Sequence, residues 1–199
     1  MARTQAPSRG LKLTDILVTV VISVVFGVIY KLWEPLVYDV LTPFGLQLEQ
    51  LGYGMWFIAA TFAFLVIRKP GVAILAELAA ASIEALLGGS WGISTLVYGL
   101  LQGLAVELVF AAFAYRKTNL SVTTLASIAA AVISIAIDQY YSYIDALSLW
   151  NYSLLVGLRL IGSIAIAGVF AYYLAAAVER TGVVKLIRPV EKSDYDALG

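Results

Sequence analysis

The sequence predicts an all-α integral membrane protein with six transmembrane helices, and three observations carry that prediction. Of its 199 residues, 61% are apolar and 13% charged, against roughly 45–50% and 25% in a soluble domain. A mean hydropathy of +0.90 extends over the whole length, and the longest hydrophilic pieces are two tails and one loop, so 1–199 reads as one domain. Breaking the chain at its charges and glycine or proline clusters leaves six apolar runs near the roughly 20 residues that span a bilayer.

The runs are 13–31, 52–67, 71–88, 93–115, 121–141 and 154–178. Arg3, Arg9 and Lys12 precede the first as they would a signal peptide, but no small-residue cleavage site follows, so it is kept as helix one. The stretch 32–51 is the longest connection. Its apolar content with Pro35, Pro43 and Gly45 predicts a long first outer loop containing a short helix. That helix is either a lid over the outer mouth or an interfacial segment with Trp33 and Tyr38 in the aromatic belt.

Basic residues set the direction. Arg3, Arg9, Lys12, Arg68, Lys69, Arg116, Lys117, Arg180, Lys185, Arg188 and Lys192 all fall on one side of these spans. The excess of lysine and arginine on cytoplasmic loops then makes both termini cytoplasmic, in a multi-pass protein of a prokaryotic plasma membrane. Lys31 and Arg159 are the exceptions.

Composition removes several functions. Histidine and cysteine are absent, which excludes their nucleophilic dyads, disulfides and imidazole or thiolate metal sites. No lysine lies in a G-x-x-x-x-G-K-[ST] setting, so the chain is not expected to use ATP by itself or to act as an enzyme. Neither a cofactor nor a nucleic-acid partner is expected.

An ionisable group in hydrocarbon costs roughly 2.5–3.5 kcal/mol even on the mild insertion scale, so the buried acids need a reason. Glu77 and Glu84 are seven residues apart, almost two turns, which places both on one face of helix three about 10 Å apart. Glu107 on helix four lies near the depth of Glu77. That pair either shares a proton or forms a structural bridge. Glu84 lies nearer the outer surface, level with Trp91, Tyr98, Gln102, Asp138, Tyr141, Asn151 and Arg159. A desolvated carboxylate among aromatic rings and amides suits a planar organic cation. Arg159 is expected to pair with Asp138 or Glu84. Thr19, Ser23 and Gly27 form a ladder of small residues, as do Gly99 and Gly103. The first is either a partner interface or internal packing, and the second is expected to be internal.

These residues resemble the substrate-binding S components of energy-coupling factor (ECF) transporters, specifically the YkoE-like thiamine or hydroxymethylpyrimidine type. The resemblance covers the whole chain and is most specific at AELAAASIEALLGGSWG, residues 76–92. The resemblance implies capture of a vitamin from outside and delivery through a membrane-embedded coupling subunit driven by two ATPase subunits. It makes Glu84 and Trp91 the leading ligand contacts, with Tyr98, Gln102, Asp138, Tyr141 and Asn151 behind them. The Thr19/Ser23/Gly27 ladder becomes the docking face, although an alanine pair is usual there. The alternative reading is a small proton-coupled transporter or channel for an organic cation, with Glu77, Glu84 and Glu107 lining its path.

Overall fold

A computed structural model describes residues 10–45 and 47–186, the last two by their backbone alone. Arg3, Arg9, Arg188 and Lys192, counted in the charge asymmetry, lie outside the described residues, as does the side chain of Lys185. Six helical elements follow one another: α1 (Leu13–Phe44), α2 (Leu48–Ile67), α3 (Val72–Leu86), α4 (Ser94–Ala112), α5 (Leu120–Tyr140) and α6 (Leu149–Arg180), and then a short turn of 3₁₀ helix at Val183–Leu186. All but α3 are long and apolar enough to cross a membrane. The 15 residues of α3 give it only about 22 Å of rise, short of the expected span 71–88.

The stretch 32–51 departs from expectation because most of it is helix continuing α1 and opening α2. Pro35 has φ −63° at the boundary, a value any helix accepts, so its cost is one missing N–H. The Leu36 N–H turns to Trp33 O. The backbone then widens into a π-helix over Leu36–Leu41 and tightens into 3₁₀ geometry over Thr42–Phe44, with Pro43 in the first turn.

At the centre is α2. Ile58–Ile67 is buried at every position, and a helix apolar on all sides belongs there. Its first ten residues, Leu48–Phe57, are 3₁₀ helix, and the change to α geometry at Phe57 (φ −145°) frees backbone donors. Tyr30 Oη accepts the Ala59 N–H at 3.0 Å, and Glu77 Oε2 accepts the Ala60 N–H at 2.9 Å and the Tyr30 hydroxyl at 3.2 Å. Glu107 does the same for α3, accepting Gly71 N–H at 2.6 Å and Ala73 N–H at 3.0 Å. The two carboxylates proposed as a pair therefore each cap a different helix start, where free N–H groups and the positive end of the helix favour an anion.

Small residues set the layers, with α3 lying between α1 and α4. The Thr19/Ser23/Gly27 ladder faces inward: Thr19 is 0% and Ser23 1% exposed, and Ser23 Oγ donates to Ala76 O at 3.0 Å. A Cβ on Gly27 would sit 2.6 Å from Ile83 Cβ and 2.7 Å from Ala80 O. The assignment of this ladder to partner docking is corrected, because α3 already fills the groove. Gly99 and Gly103 bring α4 onto the other side of α3, against Ala81, Ile74 and Ala73. On α6, a Cβ at Gly162 would lie 2.1 Å from Leu51 O, so only glycine lets α6 meet the 3₁₀ stretch of α2. Two residues later α6 widens into a π-helix over Ile164–Phe170.

Candidate functional site

A cavity of about 290 Å³ opens at the end of the bundle away from Leu13 and Arg180, where α1, α3 and α5 finish and α2, α4 and α6 begin. That is near the lower limit of small-molecule sites, roughly 300–1,000 Å³.

One wall is a row on α2. Gln50, Tyr53 and Trp56 all line the cavity although they are spaced by three. In 3₁₀ geometry residues three apart eclipse, whereas α geometry would rotate Trp56 about 120° away from Gln50. The facing wall is an α-helical stripe on α4, Thr95, Tyr98, Gly99 and Gln102. Its spacing of i, i+3, i+4 and i+7 is that of one face.

Glu84 reaches the cavity from the last turn of α3, and its Oε1 accepts the indole N–H of Trp56 at 2.8 Å. Among the described residues it forms no ion pair. Asp138 is in a different position. Its Oδ2 accepts Arg159 Nη1 at 2.5 Å, and its Oδ1 accepts the Tyr98 hydroxyl at 2.5 Å. Arg159 is held on every side: Nε donates to Gln50 Oε1 at 2.7 Å, Nη1 also reaches Ser134 Oγ at 3.2 Å, and its Cζ lies 3.7 Å over the Tyr53 ring. Of the two partners expected for Arg159, the structure selects Asp138. Glu49 adds a third acid to the lining, leaving three formal negative charges against one positive.

Aromatic groups enclose the opening. Trp56 stacks on Tyr38 with centroids 5.9 Å apart, and Tyr38 Oη accepts the Trp91 indole N–H at 3.1 Å. Trp91 meets Tyr143 at 5.3 Å. The Trp91 loop turns at Gly88 and Gly92, whose φ of +80° and +57° favour glycine. Glu34 fastens that loop, accepting Ser90 N–H at 2.9 Å and Lys31 Nζ at 2.7 Å. Two polar groups in the lining remain unmatched: Gln102 Nε2 and Thr95 Oγ1 have no partner among the described residues, on residues 2% and 8% exposed.

Five of the seven expected ligand residues, Glu84, Trp91, Tyr98, Gln102 and Asp138, come together here. Tyr141 and Asn151 do not line the cavity. Tyr141 is past the end of α5, stacked on Tyr143, and the Asn151 N–H serves the Ser148 cap of α6. Glu77 and Glu107 are likewise outside the lining, so the three glutamates form no continuous path. Sequence reasoning missed Gln50, Tyr53, Trp56 and Thr95. The only signal for the first three was a period of three that runs across the boundary expected between the loop 32–51 and the span 52–67.

Comparison with known proteins gives three results. A family model described as the permease component of an ABC-type cobalt transport system matches residues 14–133. The putative HMP/thiamine permease protein YkoE of Bacillus subtilis (strain 168) is 34% identical over 172 residues, 86% of each chain. A crystal structure of an S-component of an ECF transporter superposes with a TM-score of 0.83 at 34% identity, over 88% of this chain and 89% of that one.

Proposed function

The chain belongs to the substrate-binding S components of ECF transporters, and on that premise we propose that it captures thiamine, or the hydroxymethylpyrimidine part of it, in the cavity beside Glu84. One observation carries this reading: a carboxylate that forms no ion pair among the described residues faces a ring-walled cavity in which an amide and a hydroxyl lack partners among those residues. A thiazolium is a permanent cation, which Glu84 balances and the faces of Trp56 and Tyr38 attract. An aminopyrimidine is a flat ring with donors and acceptors, suited to Gln102 and Thr95. The HMP and thiamine in the name of the Bacillus subtilis relative agree with this chemistry. A cobalt ion, named in the family description, would want imidazole, thiolate or several carboxylates. The chain has neither histidine nor cysteine, and no three acidic side chains among the described residues lie close enough together to hold a metal ion.

In the same reading the chain is a single six-helix domain of a prokaryotic plasma membrane. The termini and their flanking basic residues are cytoplasmic, so the cavity opens outward. Release inward depends on a membrane-embedded coupling subunit and two ATPase subunits. Native mass spectrometry of gently extracted protein, followed by calorimetry, tests the proposal. One thiamine per chain, with no ATP hydrolysis, is expected. No heat with thiamine, its pyrimidine precursor or its phosphates would overturn it.

A further inference from the structure

A second cavity, of about 390 Å³, lies at the opposite end of the bundle, between α2, α6 and the connection from α4 to α5. Its charged lining is Arg68, Arg116 and Lys117 against Glu179 alone. Arg68 pairs with Glu179 at 3.3 Å. Arg116 and Lys117 make no ion pair among the described residues, and Lys117 instead sits 5.4 Å over the Phe113 ring. The side-chain oxygen of Asn119 is already used, accepting the Val122 N–H at 3.1 Å to cap α5. The lining thus keeps a surplus of positive charge and two cations with no acidic partner among the described residues.

The position of this surplus matters as much as its sign. Arg68 directly follows the apolar run Ile58–Ile67, Arg116 and Lys117 stand a few residues beyond α4, and Asn119 immediately precedes α5. The cavity therefore lies where three apolar helices stop, at the boundary between hydrocarbon and water. Retention of basic loops on one side of a membrane accounts for such residues on an open surface. It does not account for their lining a recess walled by Tyr172 and Ala175 of α6.

We propose that this cavity binds the phosphate of an anionic phospholipid headgroup. A phosphate oxygen accepts charge-assisted bonds from guanidinium and ammonium groups together. The interfacial level of the cavity places a headgroup, rather than a freely diffusing anion, beside it, and basic recesses between membrane helices recognise lipid in this way.

The test uses the full-length protein in nanodiscs of phosphatidylcholine with a minor share of phosphatidylglycerol, read by native mass spectrometry of the lipid retained on release. Phosphatidylglycerol should be retained preferentially. Each cation near an anionic lipid contributes about fivefold, so Arg116→Gln with Lys117→Gln should lower retention about twenty-five-fold. Arg180→Gln, at the same end but outside the lining, should leave it unchanged. Lys117→Gln alone, on an exposed side chain, should show about a fivefold loss, and unaltered thermal unfolding of each variant excludes misfolding. Equal retention in the double variant and the parent overturns the proposal, as does an equal loss in Arg180→Gln. Displacement of the lipid by millimolar inorganic phosphate would assign the cavity to a soluble anion and overturn it too.

Discussion

The indole N–H of Trp56 donates to Glu84 Oε1 at 2.8 Å, joining the 3₁₀ row of α2 to the last turn of α3. Its significance lies in the contrast with Asp138, which shares the cavity but is paired with Arg159. A neutral donor orients Glu84 without cancelling its charge. Of these two acids, Asp138 is part of the framework and Glu84 is left for a cation.

Glu84→Gln keeps the size of the side chain and much of its hydrogen bonding but deletes the charge. Losing one member of a desolvated charge pair costs about 2–5 kcal/mol, whereas losing an ordinary hydrogen bond costs about 0.5–1.5 kcal/mol. Affinity for thiamine should fall by roughly two orders of magnitude, and affinity for neutral hydroxymethylpyrimidine by about tenfold or less. Calorimetry on both ligands checks the ratio. Equal losses would remove the charge role.

Asp138→Asn should destabilise the fold as well as the site, because it leaves the buried Arg159 guanidinium without its counter-charge. Breaking a buried pair in this way costs about 3–5 kcal/mol. Asp138→Leu combined with Arg159→Met removes both charges and should recover part of that loss. Thermal unfolding of the single and double variants in detergent makes the comparison. A double variant less stable than Asp138→Asn would contradict it.

Leucine at Ser23 or Gly27 should damage folding before it affects any partner. Both positions press against Ala76, Ala80 or Ile83 of α3, and overpacking of this kind typically costs about 1–3 kcal/mol. Yield of folded protein, melting temperature and ligand binding should fall together. Normal binding in detergent with lost uptake in cells would instead restore the ladder as a docking face.

Gly162→Ala adds a single carbon, yet it would place that carbon 2.1 Å from Leu51 O. Separating α6 from the 3₁₀ stretch should also disturb the row of Gln50, Tyr53 and Trp56. A lower melting temperature with weakened ligand binding is expected. Gly157→Ala, on the same helix with open space around its Cβ position, is the control and should change neither.

The alternation of apolar runs and breaks made the six helices legible, and spacing alone put Glu77 and Glu84 on one face: both point toward α2, Glu77 to the Ala60 N–H and Glu84 to the Trp56 indole. What spacing could not convey was direction between helices. Thr19, Ser23 and Gly27 signal a close approach without saying which helix makes it. Depth placed Tyr141 beside Asp138, but the chain leaves helical geometry at Tyr141 and its ring turns away. The α2 row was hidden for another reason. A period of 3.6 over residues 48–57 puts Gln50, Tyr53 and Trp56 on different faces, and the boundary expected between the loop 32–51 and the span 52–67 cuts the row after Gln50.

The enclosure of Ile58–Ile67 also bears on how the chain assembles as it enters the membrane. Thr61 is the sole polar side chain of that segment, and its hydroxyl donates to Ile58 O within the same helix, so these ten residues can reside in lipid before their neighbours arrive. The donors freed at the break find acceptors on Tyr30 and Glu77. The first comes from the helix made before α2 and the second from the helix made directly after it. Synthesis in chain order therefore satisfies the donors freed at the α2 break after three helices, and α4 then brings Glu107 to the start of α3. The later three add the Arg159–Asp138 pair and close the recess beside Glu84.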